Sequence, residues 1–454
     1  MISSSDLGEL IQSLLLERPQ VDDAPFSEIV IDSREAVPGS LFVALRGERM
    51  DGHRFVDDAL ARGASAALVS AASGLSGPHL FVVDDPLTAL QQAGRNWRAR
   101  VDAQVVGITG SVGKTTVREA THQLLSRHTA THQSPRNFNG DIGMPIALLG
   151  IDRSHEWGVI EIGPYSQAEM ELLISSAQAD IAIVTNVGPT HLERFGTLND
   201  TERIKGLLPE SLPPGGLAIL NGDDPRVRRM STRTRAETIT FGLGEDCDLR
   251  ATDVEARGFD GVEFTIVDRL GGQEQRTFTP LPGVHQAMTA LAAAAVGLRA
   301  GLELAQIDDA LRALSPGSRL MQRTAWNGAA IIDDSYNAAP LSMRAALDLL
   351  RDCRPRRVAL LGDMYELGTE EQQAHGEVGR YAAECCDWLI AVGPRSRFIV
   401  DAAREAGHQR ACWVEDAEQA TQILRSSLER TDTLLVKASH AMHLERVVER
   451  LADS

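Results

Sequence analysis

Short, nearly uninterrupted apolar runs recur along this chain and alternate with segments whose apolar residues return every three or four positions. SEIVIDS, SLFVALR and AALVS come first, with HRFVDDALARGA as a helical stretch among them. QVVGITG, EWGVIEIG, DIAIVTNVG and GLAILNGDD follow, and AAIIDDSYN, RRVALLGDM, DWLIAVG and TLLVKASH form a third set. Runs this continuously apolar suit strands covered on both faces, and their alternation with helices predicts an α/β fold built on largely parallel sheets. CDLRATDVEARGFDGVEFTIVDRLGGQEQRTFTPL breaks the rhythm. It alternates polar and apolar positions around glycine pairs, as an antiparallel hairpin appended to the central sheet would. Loop-like sequence near 98–104 and ALSPGSR at 313–319 divide the chain into predicted domains 1–101, 102–314 and 315–454.

Composition narrows the class. A chain of 454 residues is long enough for about two to four buried cores. Its formal net charge of -18 argues against a broad basic surface tracking a phosphate backbone, so no nucleic acid partner is expected and any anionic ligand must be gathered by a local site. No apolar run approaches the roughly 20 residues of a membrane span. The alanine stretch around Ala292 to Val296 is broken by Gly297 and Arg299 and suits a buried helix. MISSSDLGELIQSLLLERPQ lacks the basic-then-apolar pattern of a secretory leader. Five scattered cysteines without a CxxC pair read as reduced thiols. The expectation is a cytoplasmic monomer.

The stretch VVGITGSVGKTTVREA carries the first chemistry. VVGIT predicts a strand, Gly110-Ser111-Val112-Gly113 a turn and Thr115 onward a helix, so backbone N–H groups and the positive end of the helix converge on one spot. Glycines permit close backbone approach to phosphate, Lys114 offsets the charge of the β- and γ-phosphates, and Thr115 or Thr116 offers a hydroxyl to Mg2+. Ile108 stands where a strict GxxxxGK[ST] loop has its first glycine. Gly-Lys-Thr alone is a weak signal, and the alternative is a structural turn; the strand-turn-helix context favours nucleotide. The ends of the later runs add Glu161, Asn186, His191, Asn221, Asp223 and Asp224 at the rim where α/β sheets collect ligands. Singly, His191 reads as a structural hydrogen-bonder. Together the set predicts a phosphate site holding a hard metal, with His191 as a neutral imidazole ligand once a neighbour fixes its tautomer.

At this point a resemblance becomes specific. TGSVGKTT, NFNGDIGMP, VIEIG, TNVGPTHLERFGTLNDTERIKG, LNGDDP, GVHQAMTALAAAA, IIDDSYNAAPLSM, LLGDMYELG with His375 after it, and LLVKASHAMHLERVV occur in the order expected of the Mur ligases. IVIDSREAVPGSLFVALRGERMDGHRFVDDALARGASAALV resembles the N-terminal domain of one branch of that family, and the match covers essentially the whole chain. It implies three α/β domains: an N-terminal substrate domain, a central P-loop ATPase domain on a parallel sheet, and a C-terminal Rossmann-like domain. It also implies an ATP-dependent ligase of peptidoglycan precursor synthesis that joins UDP-MurNAc-tripeptide to D-Ala-D-Ala through an acyl phosphate, with Mg2+ as cofactor.

Residue roles carry over one by one. By resemblance, Thr115 and Glu161 hold one Mg2+ and His191 a second. Lys205 matches the lysine that is carbamylated into a metal-binding carboxylate, although Leu207 stands where the family commonly has Glu; by itself Lys205 reads as a surface helix lysine. Asn137 and Asn139 are expected near substrate and nucleotide, with loop capping as the alternative. His285 precedes the adenine-side helix, where Gln286 and Thr289 replace the usual asparagines. Arg319 matches the arginine that reaches the ATP phosphates, and Asp334 a residue near the ribose. Ser33, Arg34 and Gly47 correspond to UDP-sugar contacts. Tyr336, Asn337, Ala339, Lys437, Ser439 and His440 correspond to the acceptor side. There the pattern departs most: DSYNAAP has Ala339 for Asn, KASH has His440 for Arg, and EIGPY replaces EMGAS or ELGAS. Histidine cannot reproduce the two parallel hydrogen bonds of an arginine fork on a carboxylate. A second reading, ligation of a different carboxylate and amine, therefore stays open.

Overall fold

The fully apolar runs form strands and the amphipathic segments pack over them. The computed structural model describes residues 1–47, 49–317, 322–353 and 356–452. The chain divides into two compact units, Met1–Ile108 with His128–Ala182 and Ser211–Gly216, and Thr109–Arg127 with Ile183–Glu210 and Leu217–Ser454.

In the first unit, five strands lie in the order Leu15–Glu17, Leu80–Val83, Ala66–Ser70, Leu41–Val43, Ile29–Val30. All neighbours are parallel except the antiparallel outer strand Leu15–Glu17. Val30, Phe42, Val56, Ala67 and Val69 form part of its core. Helix Pro86–Arg98 begins where the Asp85 carboxylate accepts from the Leu87 and Thr88 N–H groups, with proline in the first turn. Its Gly94 meets helix Gly143–Leu149 closely: a Cβ there would lie 2.9 Å from the Pro145 Cα. The same unit pairs Gln104–Thr109 with Trp157–Glu161, and Trp157–Glu161 with Thr131–Gln133, all parallel.

In the second unit, Leu217–Asn221, Glu237–Gly242 and Leu249–Ala256 run parallel. Where the sequence predicts a hairpin, the structure has a three-stranded antiparallel meander, Leu249–Ala256, Val262–Asp268 and Gln273–Thr279. Two glycine turns account for the third strand, through Gly261 (φ 129°) and Gly272 (φ 66°), and Val262, Phe264 and Ile266 supply its buried face. Six further strands lie in the order Gln322–Trp326, Ala329–Asp334, Thr433–Lys437, Arg357–Gly362, Trp388–Val392, Ala411–Val414, parallel apart from the first pair. Helices cover both faces. Met343, Leu347, Val378 and Ile399 pack on one side, and Leu424, Val447 and Leu451 on the other. The loops after Asp334, Gly362, Val392 and Lys437 therefore gather at the carboxyl ends of adjacent strands, where ligands bind in such sheets. No helix among the described residues is long and apolar enough to cross a membrane, and the five cysteines are free thiols.

Candidate active site

Strand Gln104–Thr109 ends in the phosphate loop, and helix Lys114–Ser126 begins immediately after it. Gly110 has φ 148°, and a Cβ there would lie 1.9 Å from the Thr185 Oγ1, so only glycine fits. Gly113, at φ 83°, turns the chain into the helix without a side-chain cap. Segment 185–188 clamps the loop. Asn186 accepts from the Val112 N–H (3.0 Å) and donates to the Val112 carbonyl (3.0 Å); Thr185 donates to the same carbonyl (2.6 Å), and the Ser111 hydroxyl bridges the Gly188 carbonyl and N–H (2.9 Å each). Behind that segment, Asn221 donates to the Thr185 carbonyl (2.7 Å), and Asp224 accepts from the Val187 N–H (2.7 Å) while capping helix Pro225–Arg228. Asp223 accepts from the Leu243 and Gly244 N–H groups. Asn186, Asn221 and Asp224 are thus scaffold that fixes the loop, and Asp223 holds the 243–244 turn, whereas strand-end position alone grouped all four at the ligand rim.

Two lysines converge on the loop. Lys114 Nζ donates to the Gly110 carbonyl (2.7 Å) and the Ser111 carbonyl (3.2 Å), and Lys205 Nζ donates to that same Gly110 carbonyl (3.1 Å). Lys205 is 2% exposed on helix Leu198–Glu210, which overturns its reading as a surface lysine. Burial, with Lys114 nearby, pushes its amine well below the ordinary lysine range. Thr115 and buried Thr116 occupy the first turn of the loop helix. His191 opens helix Leu192–Phe195 in the left-handed conformation, φ 56°, and its Nδ1 pairs with the Glu366 carboxylate. Burial lowers the basicity of His191, the Glu366 charge opposes that shift, and Lys114 and Lys205 add to it, so the imidazole is neutral at neutral pH. Glu366 is the neighbour that the sequence left unnamed. It lies 175 positions away, in the LGDMYELG segment.

In the first unit, Glu161 is 2% exposed; its N–H donates to the Ser134 hydroxyl (3.1 Å) and its carboxylate accepts from Asn139 Nδ2 (2.8 Å). Gly163 lets Asn139 in, since a Cβ there would lie 2.8 Å from that nitrogen. Asn137 is exposed beside it, with its carbonyl accepting from the Asn139 N–H. Ser33 is buried. Arg34 folds back on Asp32, at 2.6 Å from Nη2, and holds that carboxyl down to about 2. Gly47 sits in a tight loop, its N–H donating to the Met50 carbonyl (2.9 Å).

The expected nucleotide-base and acceptor residues lie in the second unit, apart from Arg319, which falls outside the described residues. His285 and Gln286 start helix Gln286–Arg299, and Thr289 is buried one turn along. Nε2 of His285 and Nε2 of Gln286 are 3.1 Å apart, whereas the buried His285 Nδ1 and Gln286 Oε1 have no hydrogen-bond partner. Burial pushes His285 down to about 4. Lys437, 2% exposed, donates to Asp334 (2.6 Å) and to the Asn337 carbonyl (2.8 Å), so its charge holds the DSYN loop. Burial raises the Asp334 carboxyl, against the pull of Lys437. Ala339 precedes helix Pro340–Arg351, and its N–H donates to Ser342 (3.0 Å). Ser439 is buried, accepting from the Tyr365 N–H (2.9 Å). Tyr336 and His440 are exposed, with ring centroids 5.4 Å apart.

These features fit a nucleotide and its cation. The loop turns on two positive-φ glycines into the start of a helix, whose positive end favours an anion, and the unpaired buried atoms of His285 and Gln286 are a donor or acceptor set without protein partners. Among the described residues no three His, Cys, Asp or Glu side chains group as a metal site.

Residues 108–297 match the Mur ligase middle domain, 318–440 the Mur ligase glutamate ligase domain, and 25–98 the Mur ligase family catalytic domain. The chain belongs to the Mur ligase family and has its three-domain α/β architecture. Within that family it is 36% identical to the UDP-N-acetylmuramoyl-tripeptide--D-alanyl-D-alanine ligase of Escherichia coli (strain K12), over 100% of this chain and 99% of the relative. It is 32% identical to the same-named ligase of Bacillus subtilis (strain 168), over 99% and 98%. Among solved structures it is similar to MurF from Acinetobacter baumannii, with TM-score 0.87 and 28% identity over 100% and 99% of the two chains. It is also similar to MurF ligase from Thermotoga maritima in complex with ADP, with TM-score 0.79 and 26% identity over 94% and 97%.

Proposed function

We propose that this chain is an ATP-dependent ligase that adds D-alanyl-D-alanine to UDP-MurNAc-tripeptide in the cytoplasm, as a step of peptidoglycan precursor synthesis. End-to-end similarity to ligases of that name supports the reading, and one observation in the structure carries its chemistry: two lysine amines meet at the Gly110 carbonyl of the phosphate loop. The tripeptide carboxylate attacks the γ-phosphorus, ADP leaves, and the dipeptide amine attacks the acyl phosphate carbon to release phosphate. Two anions must meet in the first step. Lys114 and the positive end of the helix that follows the loop offset their repulsion, and positioning does most of the remaining work.

Thr115, Glu161 and His191 are our proposed Mg2+ ligands, and Mg2+ supplies additional positive charge to the phosphates when bound. Carbamylation of Lys205 is part of the same reading. A neutral amine adds CO2 and loses a proton, which turns a buried cation site into a carboxylate. Burial supports it, because it disfavours the charged amine, and the lysine has no carboxylate partner among the described residues. Arg319 is proposed to contact phosphate, Asp334 the ribose, and the domains to run 1–101, 102–314 and 315–454.

Phosphate release measured with each substrate pair tests the function. Turnover requiring ATP, UDP-MurNAc-tripeptide and D-Ala-D-Ala together is expected; turnover with another amine but not with D-Ala-D-Ala would overturn the acceptor and select the second reading. Lys114→Ala should abolish release with the fold intact, and near-normal release would refute the role of Lys114.

A further inference from the structure

A cavity of about 450 Å3, lined by Glu193, Asp363, Tyr365, Glu366, Pro394 and Arg395, opens at the carboxyl ends of strands Arg357–Gly362 and Trp388–Val392. That volume lies within the roughly 300–1,000 Å3 of small-molecule sites. Its lining is one guanidinium among three carboxylates, the complement of a molecule carrying a carboxylate at one end and an ammonium at the other. Asp363 is fully buried. Its Oδ1 accepts from the Ser396 N–H and hydroxyl (2.8 Å each), whereas its Oδ2 has no hydrogen-bond partner. A buried carboxylate oxygen left unpaired by the protein is satisfied by a donor from outside it, either an ordered water or the cationic group of a ligand.

Arg395 is held for binding. Its Nε pairs with Glu371 (2.6 Å) and its guanidinium lies over the Tyr365 ring at 4.5 Å, which fixes the plane of the group. Glu366, in the cavity lining, pairs with His191, the proposed cation ligand. Position 440, where the resemblance places an arginine, carries an exposed histidine on the Tyr336 ring.

We propose that this cavity seats the acceptor dipeptide as a zwitterion, with Arg395 binding its carboxylate in place of an arginine at position 440 and Asp363 taking its ammonium. The proposal rests on the reading of the chain as a D-Ala-D-Ala ligase and names the residues that hold that substrate. Phosphate release at saturating ATP and UDP-MurNAc-tripeptide tests it, with D-Ala-D-Ala and its C-terminal carboxamide as alternative acceptors. The wild type prefers the acid over the carboxamide by roughly 10- to 100-fold in kcat/KM. Arg395→Ala raises KM for D-Ala-D-Ala by a similar factor, removes the preference and leaves KM for ATP unchanged. Arg395→Lys keeps part of the preference, since a single charge attracts a carboxylate without the fork. Asp363→Asn keeps the Oδ1 acceptor and raises KM for the dipeptide alone. An Arg395→Ala or Arg395→Lys enzyme with the full wild-type preference overturns the proposal. A wild type that releases no phosphate with the dipeptide overturns the functional reading instead, and the two failures are distinct.

Discussion

At Lys205, desolvation and the neighbouring Lys114 both disfavour the ammonium, so the folded state releases this proton at a lower pH than the unfolded chain does. Because the unfolded state then binds more protons, this residue costs stability, and the cost shrinks as pH rises towards the ordinary lysine value of 10.5. In CO2-depleted protein, Lys205→Met should therefore raise Tm at pH 7, by a margin that closes as the pH approaches 10; a constant margin would mean that the amine is charged when buried. The same variant should lose ligation by at least roughly 10- to 100-fold. Lys205→Ala with millimolar acetate should recover part of that activity, since acetate supplies the carboxylate that carbamylation would. His285 shows the same linkage at lower pH. Its folded value of about 4 lies below the ordinary 6.5, so its contribution is present above 6.5 and is lost as pH falls towards 4, by on the order of 1–3 kcal/mol. Thermal scans from pH 7 to 4 should show His285→Asn falling less steeply than the wild type.

Among elements, the phosphate loop shows what local sequence can and cannot reveal. Strand, glycine turn and helix are contiguous and fall within 104–126, so their periodicity and glycines made the geometry legible. The clamp did not show, because Asn186 reaches Val112 across 74 positions and nothing in TNVG marks a side chain that hydrogen-bonds another loop's backbone. Thr131–Gln133 escaped for a different reason: THQ has no apolar residue to announce a strand, and its half-buried side chains sit at a sheet edge. The meander was half legible, since its alternating pattern marked antiparallel pairing but not how many turns the glycines make. If the clamp sets loop geometry, Asn186→Ala should raise KM for ATP by about 10- to 100-fold through loss of two hydrogen bonds to Val112, with circular dichroism unchanged. An unchanged KM would show that the glycines shape the loop without help.

The pair formed by His191 and Glu366 is a property of the folded chain as a whole, and it gives a test that neither residue's segment suggests alone. His191 follows the strand Ile181–Val184, and Glu366 follows Arg357–Gly362, so each is brought to the pair by a different sheet. Sequence marked both segments as strand ends but carried no signal for their meeting; with Glu366 on Nδ1, the tautomer is fixed and Nε2 is the nitrogen that would ligate a cation. Both side chains are partly exposed, 27% and 34%, so the pair contributes no more than about 1 kcal/mol to stability and its loss should barely move Tm. Orientation is a different matter. Glu366→Ala removes the hydrogen bond that aims the ring and the charge that supports its basicity, and should weaken Mg2+-dependent ATP binding, measured by calorimetry, by about 10-fold, with kcat falling 10- to 100-fold. Glu366→Gln keeps a carbonyl acceptor for Nδ1–H and should retain most of both. An Ala variant with wild-type Mg2+ dependence would remove His191 from the proposed cation ligands and leave the pair as a structural tie between the strand ends.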